Sequence, residues 1–217
     1  SPAHNVVLID GQGQRNYTAK AEKPLEGNHH FSPGYDLVRG EYTGGFGEIS
    51  EGITPTRAVL YPRGRFWLIV DRIQTDTPRT LSVLWHYHPE CTVALEGPTV
   101  SSSDVGKGNI RIIPIAAFSW DVEIVKGQTE PEIQGWYSPV YNEKTPAPVA
   151  CFSATIPGTA VFAWLLLPAR DLPPPAVGDI ELVDESNAAV TLRRDGVAIE
   201  RFIIPLDGAL ENVSSIA

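Results

Sequence analysis

Apolar and polar residues alternate with a period of two along much of this chain. Trp120-Asp121-Val122-Glu123-Ile124 changes sides at every position, as a strand with one wet face does. Ile110 and Ile112 flank Arg111 in the same way, and Val190 and Leu192 flank Thr191. Three stretches, Phe66–Val70, Leu81–Trp85 and Val161–Leu167, are continuously apolar and rich in β-branched or aromatic residues. Their length suits strands buried on both faces better than helices, and no window carries a convincing 3.6-residue stripe. Turn chemistry punctuates the same runs. Pro62-Arg63-Gly64 divides Arg57–Tyr61 from Arg65–Arg72, and Asp195-Gly196 divides Val190–Arg193 from Val197–Ile204. Asp-Gly supplies the positive φ angles of a tight I′ hairpin. The pattern predicts about a dozen short antiparallel strands, hence an all-β, antiparallel β-sandwich.

Two segments break the rhythm. Asp10–Gly34 is long and polar and reads as a loop, with the adjacent His29-His30 facing solvent. Gly127–Pro148 carries Trp136, Tyr137 and Tyr141 among Pro, Glu and Lys. Those aromatics suit stacking on sugar rings or folding inward as a plug, and the plug is favoured because large aromatics usually carry core energetics. Asp171-Leu172-Pro173-Pro174-Pro175 is a stiff extended linker. It divides a sandwich domain (residues 1–170) from a small terminal β-sheet (176–217), with 171–175 as linker.

Composition narrows the function classes. With 217 residues, 42% of them hydrophobic, the chain can close a core without disulfides or metals. The longest apolar run, Ala160–Leu167, is far short of the roughly 20 residues of a membrane-spanning helix. Lys+Arg 17 against Asp+Glu 26 leaves a net charge of −9, which argues against nucleic acid as a partner. Arg57, Arg63, Arg65, Arg72 and Arg79 form the one local cluster of positive charge, expected to scatter over a solvated sheet face. Cys91 and Cys151 match no metal or redox spacing, and their apolar flanks suggest buried free thiols. Ser1-Pro2-Ala3-His4 carries no signal-peptide features, so the chain stays where it is made or has already lost a leader.

Candidate chemistry from spacing alone is sparse. His86 and His88 stand at i and i+2, on one face of a strand. Two imidazoles can begin a metal site, but an ordinary strand ending with both rings hydrogen-bonded is favoured, because no third ligand adjoins them. No nucleophile elbow, phosphate loop or dinucleotide fingerprint is present.

The opening His4-Asn5-Val6-Val7-Leu8-Ile9-Asp10-Gly11-Gln12-Gly13-Gln14 resembles a motif of the heparinase II/III-like polysaccharide lyases. Agreement continues in order through Gly40-Glu41-Tyr42, Arg57-Ala58-Val59-Leu60, Trp67-Leu68-Ile69-Val70-Asp71-Arg72, Leu84-Trp85-His86 and Gly135-Trp136-Tyr137-Ser138, covering most of residues 1–168. The first block is fairly specific; the others are typical of strands in that family's β domain. The resemblance implies a supersandwich-like β domain with a small C-terminal β appendage. In the family this domain follows an N-terminal α/α toroid that supplies most catalytic groups.

Such enzymes cleave uronic-acid-containing polysaccharides by β-elimination. The site must neutralise the uronate carboxylate, and a base removes the adjacent proton while an acid assists the leaving oxygen. The resemblance assigns His4 as one ligand of a zinc site whose other members, a His-Xaa-His and an Asp, lie upstream of the motif. It therefore implies the C-terminal β portion of a lyase, inactive alone, with no catalytic or cofactor-binding residue in this chain. Zinc would belong to the intact parent, the acidic polysaccharide and the toroid would be its partners, and a bacterial periplasmic or secreted location would follow. Absent neighbouring strands would leave an unpaired edge or an apolar patch, open to aggregation or to a homodimer. Two other readings stand beside this one. The first is a non-catalytic carbohydrate-binding or structural module using Trp136, Tyr137 and the arginine cluster. The second is a cupin-type metal enzyme built on His86 and His88.

Overall fold

The computed structural model describes residues 2–15, 27–170, 177–210 and 213–216. These residues contain strands and turns but no helix. The first strands are β1 (Val7–Ile9), β2 (His29–Phe31), β3 (Tyr35–Glu41), β4 (Ile53–Pro62), β5 (Trp67–Thr75) and β6 (Arg79–His86). Next come β7 (Val93–Glu96), β8 (Thr99–Ser102), β9 (Asn109–Ala116), β10 (Asp121–Lys126), β11 (Trp136–Tyr137) and β12 (Thr145–Pro146). The last are β13 (Pro148–Ile156), β14 (Ala160–Ala169), β15 (Val177–Leu182), β16 (Asn187–Arg194), β17 (Val197–Pro205) and β18 (Ser214–Ile216).

Every pairing is antiparallel. An eight-stranded sheet in the order β2-β3-β4-β5-β14-β9-β8-β7 forms the middle layer. A four-stranded sheet, β1-β6-β13-β10, packs on one face, and the four-stranded β15-β16-β17-β18 packs on the other. The fold is thus an all-β antiparallel sandwich with a C-terminal β layer.

The continuous apolar runs now have a physical reason. On β5, Ile69 and Ile73 face the first outer layer with Trp85 and Phe152, while Leu68 and Val70 face the C-terminal layer with Val190 and Phe202. On β14, Phe162 and Trp164 point one way, Ala163 and Leu165 the other. A strand covered on both faces has no wet side, so it loses the alternation that β10 keeps at the sandwich edge. The Asp195-Gly196 turn forms as expected, with φ of 52° and 80°.

Four expectations change. Arg111 is buried, not wet, because β9 lies in the covered sheet, and its Nε donates to Ser101 Oγ. His29-His30 belong to edge strand β2 rather than a loop: His29 is exposed, while the His30 ring packs 5.6 Å from that of Tyr35. The 127–148 segment is no core plug. Only Trp136 turns partly inward, with Nε1 donating to the Gln128 carbonyl, while Tyr137 is exposed and Tyr141 is 98% exposed. Cys91 and Cys151 are free but half-buried rather than buried. The linker at 171–175 lies outside the described residues, as do residues 16–26 of the polar stretch between Asp10 and Gly34.

The arginine cluster is not a loose solvated set. Arg57 pairs with Asp71, Arg63 with Asp36, Arg65 with Glu200, Arg72 with Asp207 and Arg79 with Asp10. Two of these pairs tie the C-terminal layer to the middle sheet. Arg65 is bidentate to Glu200, and Arg72, only 2% exposed, grips both Asp207 oxygens and the Glu185 carbonyl. Asp207→Ala leaves a buried guanidinium short of its counter-charge. The expected loss is about 2–3 kcal/mol, below the roughly 3–5 of a fully enclosed pair because Asp207 is partly exposed. Removing Lys107, whose pair with Glu90 is exposed at both ends, is expected to cost less than about 1 kcal/mol. Urea unfolding of both variants checks this, and equal losses would contradict the ranking.

Candidate functional site

The His-Asn motif runs along the open side of the first outer layer, and each part of it is fastened. Asn5 Oδ1 accepts the His86 backbone N–H at 2.8 Å and lies 3.1 Å from the His86 ring Nδ1. His86 Nε2 lies 3.1 Å from the Pro2 carbonyl, which also accepts from Gln134 Nε2 at 3.0 Å. Strand β1 then pairs with β6, sending Val7 and Ile9 into the core. Asp10 and Gly11 adopt φ of 50° and 74°, and Ile9 and Gln12 exchange backbone hydrogen bonds across that turn. Glycine at 11 removes the strain of a left-handed conformation. Gln12 reaches the Gly44–Glu48 loop, where its side-chain oxygen accepts from Glu48 N–H. A Cβ at Gly47 would collide with that amide.

These bonds also close much of the edge where a gap was expected. In β1 the odd residues direct their backbone groups away from β6. Of those, Ile9 is satisfied by Gln12, and just before the strand the Asn5 carbonyl accepts from Arg57 Nη1 at 2.8 Å. The edge beside the motif is thus closed at Asn5 and at Ile9.

Beneath the motif lies a buried polar node. Asp71 accepts Arg57 Nε at 2.6 Å, Arg57 Nη2 at 2.9 Å and Trp164 Nε1 at 3.1 Å. The Arg57 guanidinium also stands 5.8 Å from the Trp85 ring centroid, within cation–π range. Burial works against the guanidinium charge, but the Asp71 charge and its hydrogen bonds outweigh it and raise the Arg57 pKa. Composition and spacing gave no notice of this node. Its one sequence signal is a charge, Asp71, closing the apolar run Trp67–Val70. A cavity of about 340 Å³ opens above it, lined among others by Val7, Gln14, Glu41, Tyr42, Arg57 and Asp71.

His4 is exposed at this end of the sandwich, near enough to His86 for their charges to repel. Burial, helped by His4, pushes the His86 imidazole below its ordinary pKa, against the upward pull of the Pro2 carbonyl and Gln134. His88 does not join them: its Nδ1 accepts from Glu90 N–H, and its ring packs 5.8 Å from Tyr137. Zinc asks for about four ligands. Among the described residues no three His, Cys, Asp or Glu side chains converge to hold a metal. The described residues therefore do not compose a zinc site on their own.

The family profile described as "Heparinase II/III-like, C-terminal" matches residues 1–193. The chain belongs to that family. The match runs past the proline-rich segment and into β16, so it includes part of the C-terminal layer. Among solved structures, a heparinase III gene product aligns with a TM-score of 0.74 at 11% identity, covering 94% of this chain and 30% of its own. The heparan sulfate lyase HepC from Pedobacter heparinus gives 0.72 at 17% identity, with the same two coverages. A further heparinase III structure gives 0.71 at 15%. At such identities the likeness is one of fold, and this heparinase II/III-like chain spans 30% of the length of those proteins. No curated protein matches it by sequence.

The motif's turn makes a pH-dependent contribution. Burial alone would raise the Asp10 carboxyl, but the Thr80 backbone N–H at 2.8 Å and Arg79 at 2.9 Å outweigh it and lower its pKa. A carboxylate held below its unfolded value stabilises the fold above that value, near 3.8, and this stability fades as pH falls through the folded pKa. Asp10→Asn is expected to cost less than about 1 kcal/mol at neutral pH, the range of an exposed pair. The two proteins should converge in stability toward pH about 2, where both states are protonated. A deficit in thermal unfolding that is unchanged at acid pH would contradict this assignment.

Proposed function

We propose that these residues are the C-terminal β portion of a polysaccharide lyase acting on uronic-acid-containing glycans by β-elimination, and that the portion is inactive alone. The observation that carries this reading is family membership across residues 1–193 in a chain spanning 30% of its heparinase neighbours. The remaining length of such a parent would hold the α/α toroid and its catalytic groups. His4 would add one ligand to zinc in the intact enzyme, and the parent would act in the bacterial periplasm or outside the cell.

The electrostatics support inactivity of the isolated chain. β-Elimination requires a cation or strong donor to offset the uronate carboxylate as the enolate-like charge develops. All five clustered arginines already face carboxylates of the chain itself. The same pairing weakens the arginine half of the carbohydrate-binding reading. Its aromatic half keeps one favourable observation, the exposure of Tyr137 and Tyr141.

Incubation of the isolated chain with alginate and with glycosaminoglycans is expected to give no ultraviolet absorbance from unsaturated uronate, while the full polypeptide encoded with this sequence produces it. Robust turnover by residues 1–217 alone would refute the proposal. Glycan binding with no turnover by the full polypeptide would install the binding-module reading instead.

A further inference from the structure

The middle sheet has eight strands and the first outer layer only four, so parts of the middle sheet's face extend beyond it. Cross-strand register aligns side chains into rows on the face toward that layer. One row runs Trp164, Ile69, Val59, Val38, His29 from β14 out to β2. The neighbouring row joins Leu166 to Trp67 on β5, then passes through Tyr61 and Asp36 to Phe31. Tyr61 and Trp67 bridge the middle of that row as a stacked pair, with centroids 5.1 Å apart and planes 17° from parallel.

Exposure climbs outward along the first row, and in the second it is high at Trp67 and Phe31 with half-buried Tyr61 and Asp36 between them. Trp164 and Ile69 are buried, whereas Trp67 is 36%, Val38 41% and Phe31 62% exposed. On the opposite face of the same strands, Leu68, Leu60 and Leu37 are wholly buried beneath the C-terminal layer. Those strands are thus sealed on that side, and on the other they are covered along part of their length and exposed toward one end, at Trp67 and Val38. That exposed end forms a largely apolar, aromatic shelf, crossed by Asp36, beyond the last strand of the outer layer. Register places Trp67 and Tyr61 toward the end of the sandwich that carries His4 and His86, one step past Ile69 and Trp164, whose ring meets Trp85 at 5.7 Å. The exposed loop residues Ile133, Val140 and Tyr141 belong to the segment anchored at this end through Gln134 and Pro2.

We propose that this shelf, centred on Phe31, Val38, Tyr61 and Trp67, is the seat of another segment of the parent polypeptide, which covers it with apolar side chains. This rests on the lyase reading above. The length arithmetic supplies the occupant: structural neighbours devote 70% of their chains to polypeptide outside the part matched here (100% minus the 30% covered). Charge argues against an acidic glycan, since Arg57 and Arg63, the arginines nearest the shelf, are bound to Asp71 and Asp36. It also disfavours a second copy, because each chain carries a net charge of −9. The closed outward groups of Asn5 and Ile9 indicate that the contact is made by side chains over the face rather than by strand addition along all of β1.

Hydroxyl-radical footprinting read by mass spectrometry tests this on two samples, the 217-residue chain and the full polypeptide encoded with it. Phe31 and Trp67 should oxidise readily in the isolated chain and lose that reactivity in the full polypeptide, while Val197 and Ile199 on the C-terminal layer stay reactive in both. Unchanged reactivity of Phe31 and Trp67 in a full polypeptide that turns over uronate polysaccharide overturns the shelf assignment and leaves the lyase reading intact. Protection without turnover on any uronate polysaccharide overturns the lyase reading on which the proposal rests but retains a covered shelf. Protection already present in an isolated chain that sediments as a dimer assigns the shelf to a second copy and overturns the proposal. The variant Phe31→Ser should leave the unfolding midpoint of the isolated chain unmoved and lower that of the full polypeptide; a lowered midpoint in the isolated chain contradicts an uncovered shelf.

Discussion

Asp71 and Arg72 are neighbours on a strand that is covered on both sides, and strand alternation sends them to opposite faces of the middle sheet. Neither has access to water, so each must find its compensation within the protein. Asp71 takes Arg57 and the Trp164 indole, and through Arg57 it reaches the Asn5 carbonyl of the opening motif. Arg72 takes Asp207 and the Glu185 carbonyl of the C-terminal layer. Two consecutive residues thus rivet three layers together. The apolar rows packed around them supply most of the burial energy, and the charges tie the layers to one another at two points.

Much of the architecture was legible from periodicity. Clean alternation over Trp120–Ile124 marked a one-sided strand, which runs Asp121–Lys126 at the sandwich edge, and unbroken apolar runs at Phe66–Val70 and Val161–Leu167 marked strands covered twice. The reading failed where the local pattern carries the wrong information. Arg111 sits between isoleucines and mimics a wet position, yet burial follows from which sheet a strand joins, which periodicity does not encode. His29-His30 looked like loop because β2 is short, polar and at an edge, with no apolar alternation to betray it. The tyrosines of the 127–148 segment were assigned inward on the general habits of aromatics, and that habit yields where a surface is kept open.

Of the candidate site, the motif could be read from sequence only through its resemblance to heparinase II/III-like lyases. Its physical logic became plain in three dimensions: a tight Asp10-Gly11 turn, an Asn5 clasp on His86 and a Gln12 amide seated against Gly47. The Arg57–Asp71–Trp164 node depends on residues far apart in sequence, beyond what spacing can signal. The arginines expected to scatter over a solvated face prove to be paired with carboxylates of the chain itself, Arg63 and Arg65 while still half-exposed. Part of what the molecule keeps open is apolar, at Phe31, Val38 and Trp67, and an apolar patch beside an anchored histidine-bearing segment fits a module built to sit against more protein.

A structure of the full encoded polypeptide in complex with a uronate oligosaccharide tests the whole account most directly. The account predicts polypeptide from outside residues 1–217 packed over Tyr61 and Trp67, with the reacting uronate held by groups that this outside polypeptide contributes. A uronate bound entirely by residues of the present chain, with those two rings still in solvent, would contradict it.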